Sequence, residues 1–188
     1  MALPHLSSAQ SASVGASSSL PASRPPLGER RSAYLLPGEL HASAEPCQIR
    51  TILGSCVAIC LWDRRLHVGG MNHFLLPASS EGHPASSRFG DVATRTLLEA
   101  LQSLGCRIAD LQAKIFGGAS MFQKPNRRVM SLGAQNVAVA LELMRSSGIT
   151  VAVQETGGTH GRKIMLNTDD GVVWCQRIQE ERARSNGF

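Results

Sequence analysis

The chain has few aromatic residues, few charged residues and no long apolar run. Aromatic residues make up 4% and charged residues 18% of its 188 residues. A surface for single-stranded nucleic acid needs basic side chains interleaved with aromatic ones that stack on bases, and no such stripe occurs. No run of 18 apolar residues is present, so the sequence offers no candidate for a spanning helix. We therefore expect neither nucleic-acid binding nor direct membrane insertion.

The cysteines lack the spacing of a metal site. Five occur, at 47, 56, 60, 106 and 175, and no two form a CxxC pair. Residues four apart in a strand, such as Cys56 and Cys60, lie roughly 13 Å from each other, too far to share a zinc ion. An odd number at irregular spacing is typical of reduced thiols in the cytoplasm rather than of a disulfide framework. Neither Gly117-Gly118 nor Gly157-Gly158 belongs to a phosphate-binding motif that ends in GK[ST], so no nucleotide site is indicated. We therefore expect no metal and no cofactor, and the reduced cysteines lead us to expect a cytoplasmic protein.

Composition divides the chain into three parts. Three of its five surplus positive charges fall in residues 1–32 and 177–188. Residues 1–32 are rich in Ser, Ala and Pro and contain too few large apolar side chains to offset the entropy lost on ordering. The sequence thus predicts a disordered arm over 1–32, one folded domain over 33–178 and a tail over 179–188.

Short apolar segments between turn residues predict many strands and only two helices. The first helix is expected to begin at Asp91 as N-cap, with an apolar stripe at Ala93, Leu97, Leu101 and Leu104. The second is expected from Ala134 to Ser147. Strands are expected at 49–53, 57–62, 68–76, 111–116 and 149–153, with a hairpin formed by 163–166 and 172–176. This order indicates a single α+β domain rather than regular βαβ alternation.

One cysteine and one histidine have a spacing that suggests chemistry. Cys56 follows a Gly54-Ser55 turn at the head of an apolar segment, and His73 lies 17 residues later in a second one. Two strands joined by a turn could bring a thiol against an imidazole, the minimal apparatus of cysteine nucleophilic catalysis. A small core cysteine and a hydrogen-bonded structural histidine would give the same spacing, and these are the commoner case. The spacing alone leaves both interpretations open.

The surrounding segments favour catalysis. The segments TILGSCVAICLWD, GGMNHFLLP, KIFGGASMF and GRKIMLNTDDG resemble the CheD family of chemoreceptor glutamine deamidases, from about Tyr34 to about Arg177. In that family a Cys, a His and a Thr form the catalytic set, and the resemblance carries these roles to Cys56, His73 and Thr51. Many members have the Thr six residues before the Cys, whereas the interval here is five. The resemblance also implies layered mixed β-sheets flanked by two main helices, the sandwich of a CheD-like cysteine hydrolase.

The chemistry expected of these residues is hydrolysis of a carboxamide. His73 would take the thiol proton and later protonate the leaving ammonia. Thr51 would accept a hydrogen bond from the far ring nitrogen and fix the tautomer of the imidazole. Gly54 and Ser55 would turn the backbone so that amide N–H groups near Cys56 meet the oxyanion, although a simple turn explains Gly54 equally well.

The resemblance implies that the substrate is a glutamine in the cytoplasmic helices of a methyl-accepting chemotaxis receptor. Removal of methyl esters from the resulting glutamates uses the same thiolate chemistry and stays open. A second hypothesis is an adaptor that pairs with a CheC-type phosphatase and raises its activity. A third is a cysteine hydrolase of different substrate on the same scaffold. The intact set of Cys56, His73 and Thr51 favours an enzyme, because an adaptor does not need it.

Overall fold

The computed structural model describes residues 30–79, 86–120 and 130–178, and the expected tail 179–188 lies outside them. Within these ranges the chain forms nine strands and two α-helices. The strands are β1 Arg31–Tyr34, β2 Leu40–Ser43, β3 Cys47–Leu53, β4 Val57–Asp63, β5 Val68–Asn72, β6 Leu111–Gly117, β7 Thr150–Thr156, β8 Arg162–Asn167 and β9 Val173–Arg177; the helices are α1 Gly90–Ser103 and α2 Leu132–Ser146. The expected α+β class is confirmed. No helix in the described ranges is long and apolar enough to cross a membrane.

The strands form two mixed sheets in adjacent layers. The four-stranded sheet has the order β1-β3-β8-β9, and the five-stranded sheet has the order β2-β5-β4-β6-β7. Side chains alternate along β4: Val57, Ile59 and Leu61 pack toward the helices, while Ala58 and Cys60 pack toward the four-stranded sheet. Because both faces of the five-stranded sheet are covered, the sequence of β4 is an almost continuous apolar run. The layer between the two sheets, called here the inter-sheet layer, holds the candidate site.

The expected hairpin is confirmed as the antiparallel pair β8 and β9. Both helices begin earlier than expected. Phe89, not Asp91, occupies the N-cap of α1, and the carboxylate of Asp91 instead accepts bonds of 3.0 and 2.6 Å from Ser79. Leu104 lies beyond the end of α1 and is 39% exposed, so it does not extend the buried stripe. In α2 the Ser131 hydroxyl accepts the N–H of Ala134 at 3.2 Å and starts the helix at Leu132.

The ordered domain begins before the expected boundary at residue 33. Strand β1 starts at Arg31 and pairs in parallel with β3. The Arg30 guanidinium, 8% exposed, lies 2.8 Å from an Asp169 carboxylate oxygen and 3.3 Å from one of Asp170. The predicted boundary was placed too late because the charged Arg30-Arg31 pair follows a Ser/Ala/Pro-rich stretch and resembles part of it. Residues 30–32 therefore belong to the domain, and the remainder of the expected arm, 1–29, lies outside the described residues.

We predict that truncation of the N-terminus becomes harmful only when Arg30 is lost. A variant starting at Ser32 should be less stable than one starting at Arg30 by about 2 kcal/mol, since a hydrogen-bonded charge of this kind is worth roughly 1.5–3 kcal/mol. Thermal unfolding of the two variants measures the difference. Equal midpoints would mean that Arg30 contributes no net stability.

Candidate active site

The three expected catalytic residues come from different elements; Thr51 and His73 are in contact in the inter-sheet layer, and Cys56 packs against the apolar core of that layer. Thr51 lies on the buried face of β3, in the four-stranded sheet. Cys56 is the last residue of the turn between β3 and β4, and His73 follows β5 directly. Thr51 and His73 are 1% and 2% exposed, whereas Cys56 is half-buried.

A hydrogen bond between the sheets fixes the tautomer of His73. The Thr51 Oγ1 lies 2.8 Å from His73 Nδ1 and donates to the Leu35 carbonyl at 2.9 Å. A hydroxyl has one proton, and a carbonyl can only accept. Because the Thr51 proton is used on Leu35, Nδ1 must carry the imidazole proton and donate it to Thr51. In neutral His73 the unprotonated nitrogen is therefore Nε2, the atom that a general base needs.

The strand register puts Cys56 on the same face as His73. Val57 and Phe74 exchange backbone hydrogen bonds of 3.1 and 3.0 Å. Their pairing sets Ala58 opposite His73, and Cys56 lies two residues before Ala58 on the same face. Diagonal neighbours of this kind have Cα atoms about 7–8 Å apart. The buried Nε2 of His73 has no hydrogen-bond partner among the described residues, which leaves it available to the thiol once the side chains close up on a substrate.

Burial keeps both members of the pair neutral. It raises the pKa of the Cys56 thiol, an effect that the backbone N–H of Cys56 itself opposes. It lowers the pKa of His73, against the contrary influence of the Leu35 carbonyl and of Glu39. A neutral imidazole can accept a proton from a neutral thiol as the sulfur attacks.

A tight turn holds the backbone of His73. The Glu39 N–H donates to the Leu36 carbonyl at 3.0 Å and closes a turn over Pro37 and Gly38. Gly38 has φ of +91°, a value that other residues rarely adopt. The Gly38 N–H donates to the His73 carbonyl at 2.7 Å, and the His73 N–H donates to the Glu39 carbonyl at 2.9 Å. These two bonds fix the backbone of the residue that carries the imidazole.

Three consecutive carbonyls of the turn before β4 are held by hydrogen bonds from one side of the molecule. The donors are Ala119 N–H to Gly54 at 2.8 Å, Asn136 Nδ2 to Ser55 at 3.0 Å and Gly118 N–H to Cys56 at 2.8 Å. A Cβ at Gly117, where φ is +106°, would collide with the Cys56 carbonyl oxygen. The Gly117-Gly118 pair thus supports the turn that carries the candidate nucleophile.

Asn136 was missed by sequence reasoning. It lies on α2 and was expected only as part of an amphipathic helix. An asparagine among buried helix positions is the signal that could have found it, because a buried amide must have hydrogen-bond partners.

We predict that Thr51→Val, which preserves shape but removes the hydroxyl, lowers the deamidation rate by about 10- to 100-fold, in the range attributed to residues that orient a functional group. The loss should be smaller than for either Cys56 or His73, since the imidazole is still present. Steady-state kinetics on a receptor fragment measures it, with Thr51→Ser as the matched control that keeps the hydroxyl. A loss for Thr51→Val as complete as that of Cys56→Ala would show that orientation contributes more than we expect.

The fold and the site together define a class of protein. A half-buried thiol, an imidazole with a fixed tautomer and a hydroxyl that orients it are the side chains that cysteine hydrolases use. Here they lie between two sheets of an α+β domain whose outer layer is helical.

Comparison with known proteins gives the family. The family described as CheD chemotactic sensory transduction matches residues 75–177. A protein of Anaeromyxobacter dehalogenans called "Probable chemoreceptor glutamine deamidase CheD 1" is 46% identical over 151 residues, 80% of this chain and 87% of its own. A "Probable chemoreceptor glutamine deamidase CheD" of Trichlorobacter lovleyi is 40% identical, covering 80% of this chain and 93% of its own. The chain belongs to the CheD family, as its resemblance indicated.

Two further similarities complete the comparison. A "Probable chemoreceptor glutamine deamidase CheD" of Methanococcus vannielii is 39% identical over 76% of this chain and 93% of its own. Among solved structures, the Bacillus licheniformis hypothetical protein YfiH aligns with 62% of this chain and 49% of its own, with a TM-score of 0.42 and 12% identity. That structural likeness is too distant to bear on function.

Proposed function

We propose that this protein deamidates glutamine side chains of chemoreceptors, using Cys56 as nucleophile, His73 as general base and Thr51 as the residue that orients His73. The relatives' names supply the reaction and the substrate class. The single observation that carries the residue roles is the use of the Thr51 proton on Leu35, since it leaves Nε2 of His73 as the basic nitrogen.

In the first half of the reaction the Cys56 sulfur attacks the side-chain carbonyl carbon of glutamine, and His73 Nε2 takes the thiol proton. The carbonyl oxygen becomes an oxyanion, which backbone N–H groups near Cys56 stabilise. The carbon–nitrogen bond then breaks. His73 gives its proton to the leaving nitrogen, so ammonia departs and a thioester joins Cys56 to the former glutamine.

In the second half water replaces ammonia. His73 takes a proton from the water as its oxygen attacks the thioester carbon, and the carbon–sulfur bond breaks. The thiolate recovers its proton from His73, and the side chain leaves as glutamate. One water is consumed and one ammonia is released per turnover, and the protein returns to its starting state without a cofactor.

We further propose that docking on receptor helices selects the substrate. A glutamine side chain offers two methylenes at roughly 0.8 kcal/mol each, too little to select a few glutamines from all those in a cell. Receptor residues on either side of the glutamine must supply the remainder. Pairing with a CheC-type phosphatase stays a prediction.

Incubation with a chemoreceptor cytoplasmic fragment tests the function. The expected result is release of ammonia together with the peptide mass change of a carboxamide converted to a carboxylate, confined to particular glutamines. Free glutamine and an unfolded peptide of the same sequence are the matched controls and should react far more slowly. No conversion of any receptor fragment would refute the deamidase, and equal kcat/KM on free glutamine would point to a small-molecule amidase.

A further inference from the structure

Asn136 connects the two segments that carry the candidate nucleophile and base. It lies in α2 and is 0% exposed. Its Nδ2 donates to the Ser55 carbonyl at 3.0 Å and to the Leu75 carbonyl at 2.8 Å. Ser55 directly precedes Cys56, and Leu75 comes two residues after His73. Since both neighbours are acceptors, the side chain at 136 must bring two N–H donors, which an amide does and an aspartate or leucine does not.

The bond to Ser55 determines where the Cys56 N–H points. In a planar trans peptide the C=O of one residue and the N–H of the next point in opposite directions. Because the Ser55 carbonyl is directed at α2, the Cys56 N–H is directed away from α2. The neighbouring peptide obeys the same rule: the Gly54 carbonyl accepts from Ala119, so the Ser55 N–H points away from Ala119.

These two N–H groups are available to a ligand. Within the described part of the chain, neither the Ser55 N–H nor the Cys56 N–H has a hydrogen-bond partner in another residue. The Cys56 N–H also lies close enough to its own sulfur to oppose the rise in the thiol pKa. When a thiol attacks a carboxamide, the oxyanion forms beside the sulfur, so an N–H donor at that position can stabilise it.

We propose that Asn136 is a positioning residue that fixes the Ser55–Cys56 peptide, so that the Cys56 N–H is a preformed oxyanion donor. The inference rests on the proposed deamidation. Asn136 does not touch the substrate; it acts through the peptide that it holds. Its second bond, to Leu75, ties the segment after His73 to the same side chain, so one amide sets the position of the donor relative to the base.

Asn136→Leu tests this role because it has similar size but no donor. We expect kcat on a receptor fragment to fall about 100- to 1000-fold, the range for loss of one oxyanion donor, with KM unchanged. The rate of Cys56 alkylation by iodoacetamide should stay at the wild-type value, because alkylation needs the thiol and the base but forms no oxyanion. A merely structural role would not separate these two rates.

Two further variants keep the test decisive. Met144→Ala removes a fully buried side chain of the same helix two turns away, and its loss of stability should leave kcat unchanged. Asn136→Asp keeps the shape and, when protonated, has one donor instead of two, so its kcat should lie between those of wild type and Asn136→Leu. It serves as the test if Asn136→Leu does not fold.

The results distinguish the positioning role of Asn136 from the deamidase activity on which that role depends. If wild type deamidates and the Asn136 variants lose no more kcat than Met144→Ala, the positioning role is wrong and the deamidase stands. A fall in alkylation that matches the fall in kcat also overturns it, because the defect would then lie in the nucleophile or base. A wild type inactive on every receptor fragment would refute both.

Discussion

Cys56→Ala should abolish the release of ammonia from receptor fragments, with a loss of about 10⁴-fold or more, as expected when a covalent nucleophile is removed. The fold should persist, because Cys56 is only half-buried and alanine fits the same space. Ammonia release and peptide mass spectrometry measure the loss, and circular dichroism checks the fold.

Cys60→Ala is the matched control for this change. Cys60 lies four residues after Cys56 and on the same face, and burial raises its pKa to about 12, so it stays protonated at neutral pH. Its substitution should cost about 1 kcal/mol of stability and leave kcat intact. Conversion of receptor glutamine by the Cys56→Ala protein would show that the mechanism is wrong.

His73→Ala should lower deamidation by about 10²–10⁴-fold, the usual contribution of a positioned general base. Its Cys56 should also react slowly with iodoacetamide near pH 7, since burial raises the thiol pKa and the imidazole proposed to take its proton has been removed. His41→Ala is the matched control, because His41 lies in β2, the edge strand of the five-stranded sheet. Equal alkylation rates in wild type and His73→Ala would mean that His73 does not activate the thiol.

The pH dependence of wild-type activity is a second test of His73 as the general base. The neutral imidazole is the active form, and burial lowers the pKa of His73, so the base persists to lower pH than an exposed histidine would allow. The acid limb of kcat/KM should therefore lie below the ordinary histidine value of about 6.5. An acid limb above that value would contradict the assignment.

Local sequence signals identified the main strands, the final hairpin and the family. They failed where the structure depends on distant partners. Strand β2 is half-buried throughout and so has no apolar alternation, and β1 is recognised only through its pairing with β3. The role of Asn136 depends on bonds to residues 81 and 61 positions away. The Thr51 proton could be assigned only once the Leu35 carbonyl was found 16 residues away in the chain.

The bond between Thr51 and His73 joins side chains of two different sheets. A separation of the two sheets by about 1 Å would lengthen this bond, now 2.8 Å, beyond hydrogen-bond length while leaving every strand paired within its own sheet. In the proposed mechanism, activity therefore depends on how closely the two layers are packed against each other. Pressure, cold or a cavity in the layer between them could switch the enzyme off well before the protein unfolds.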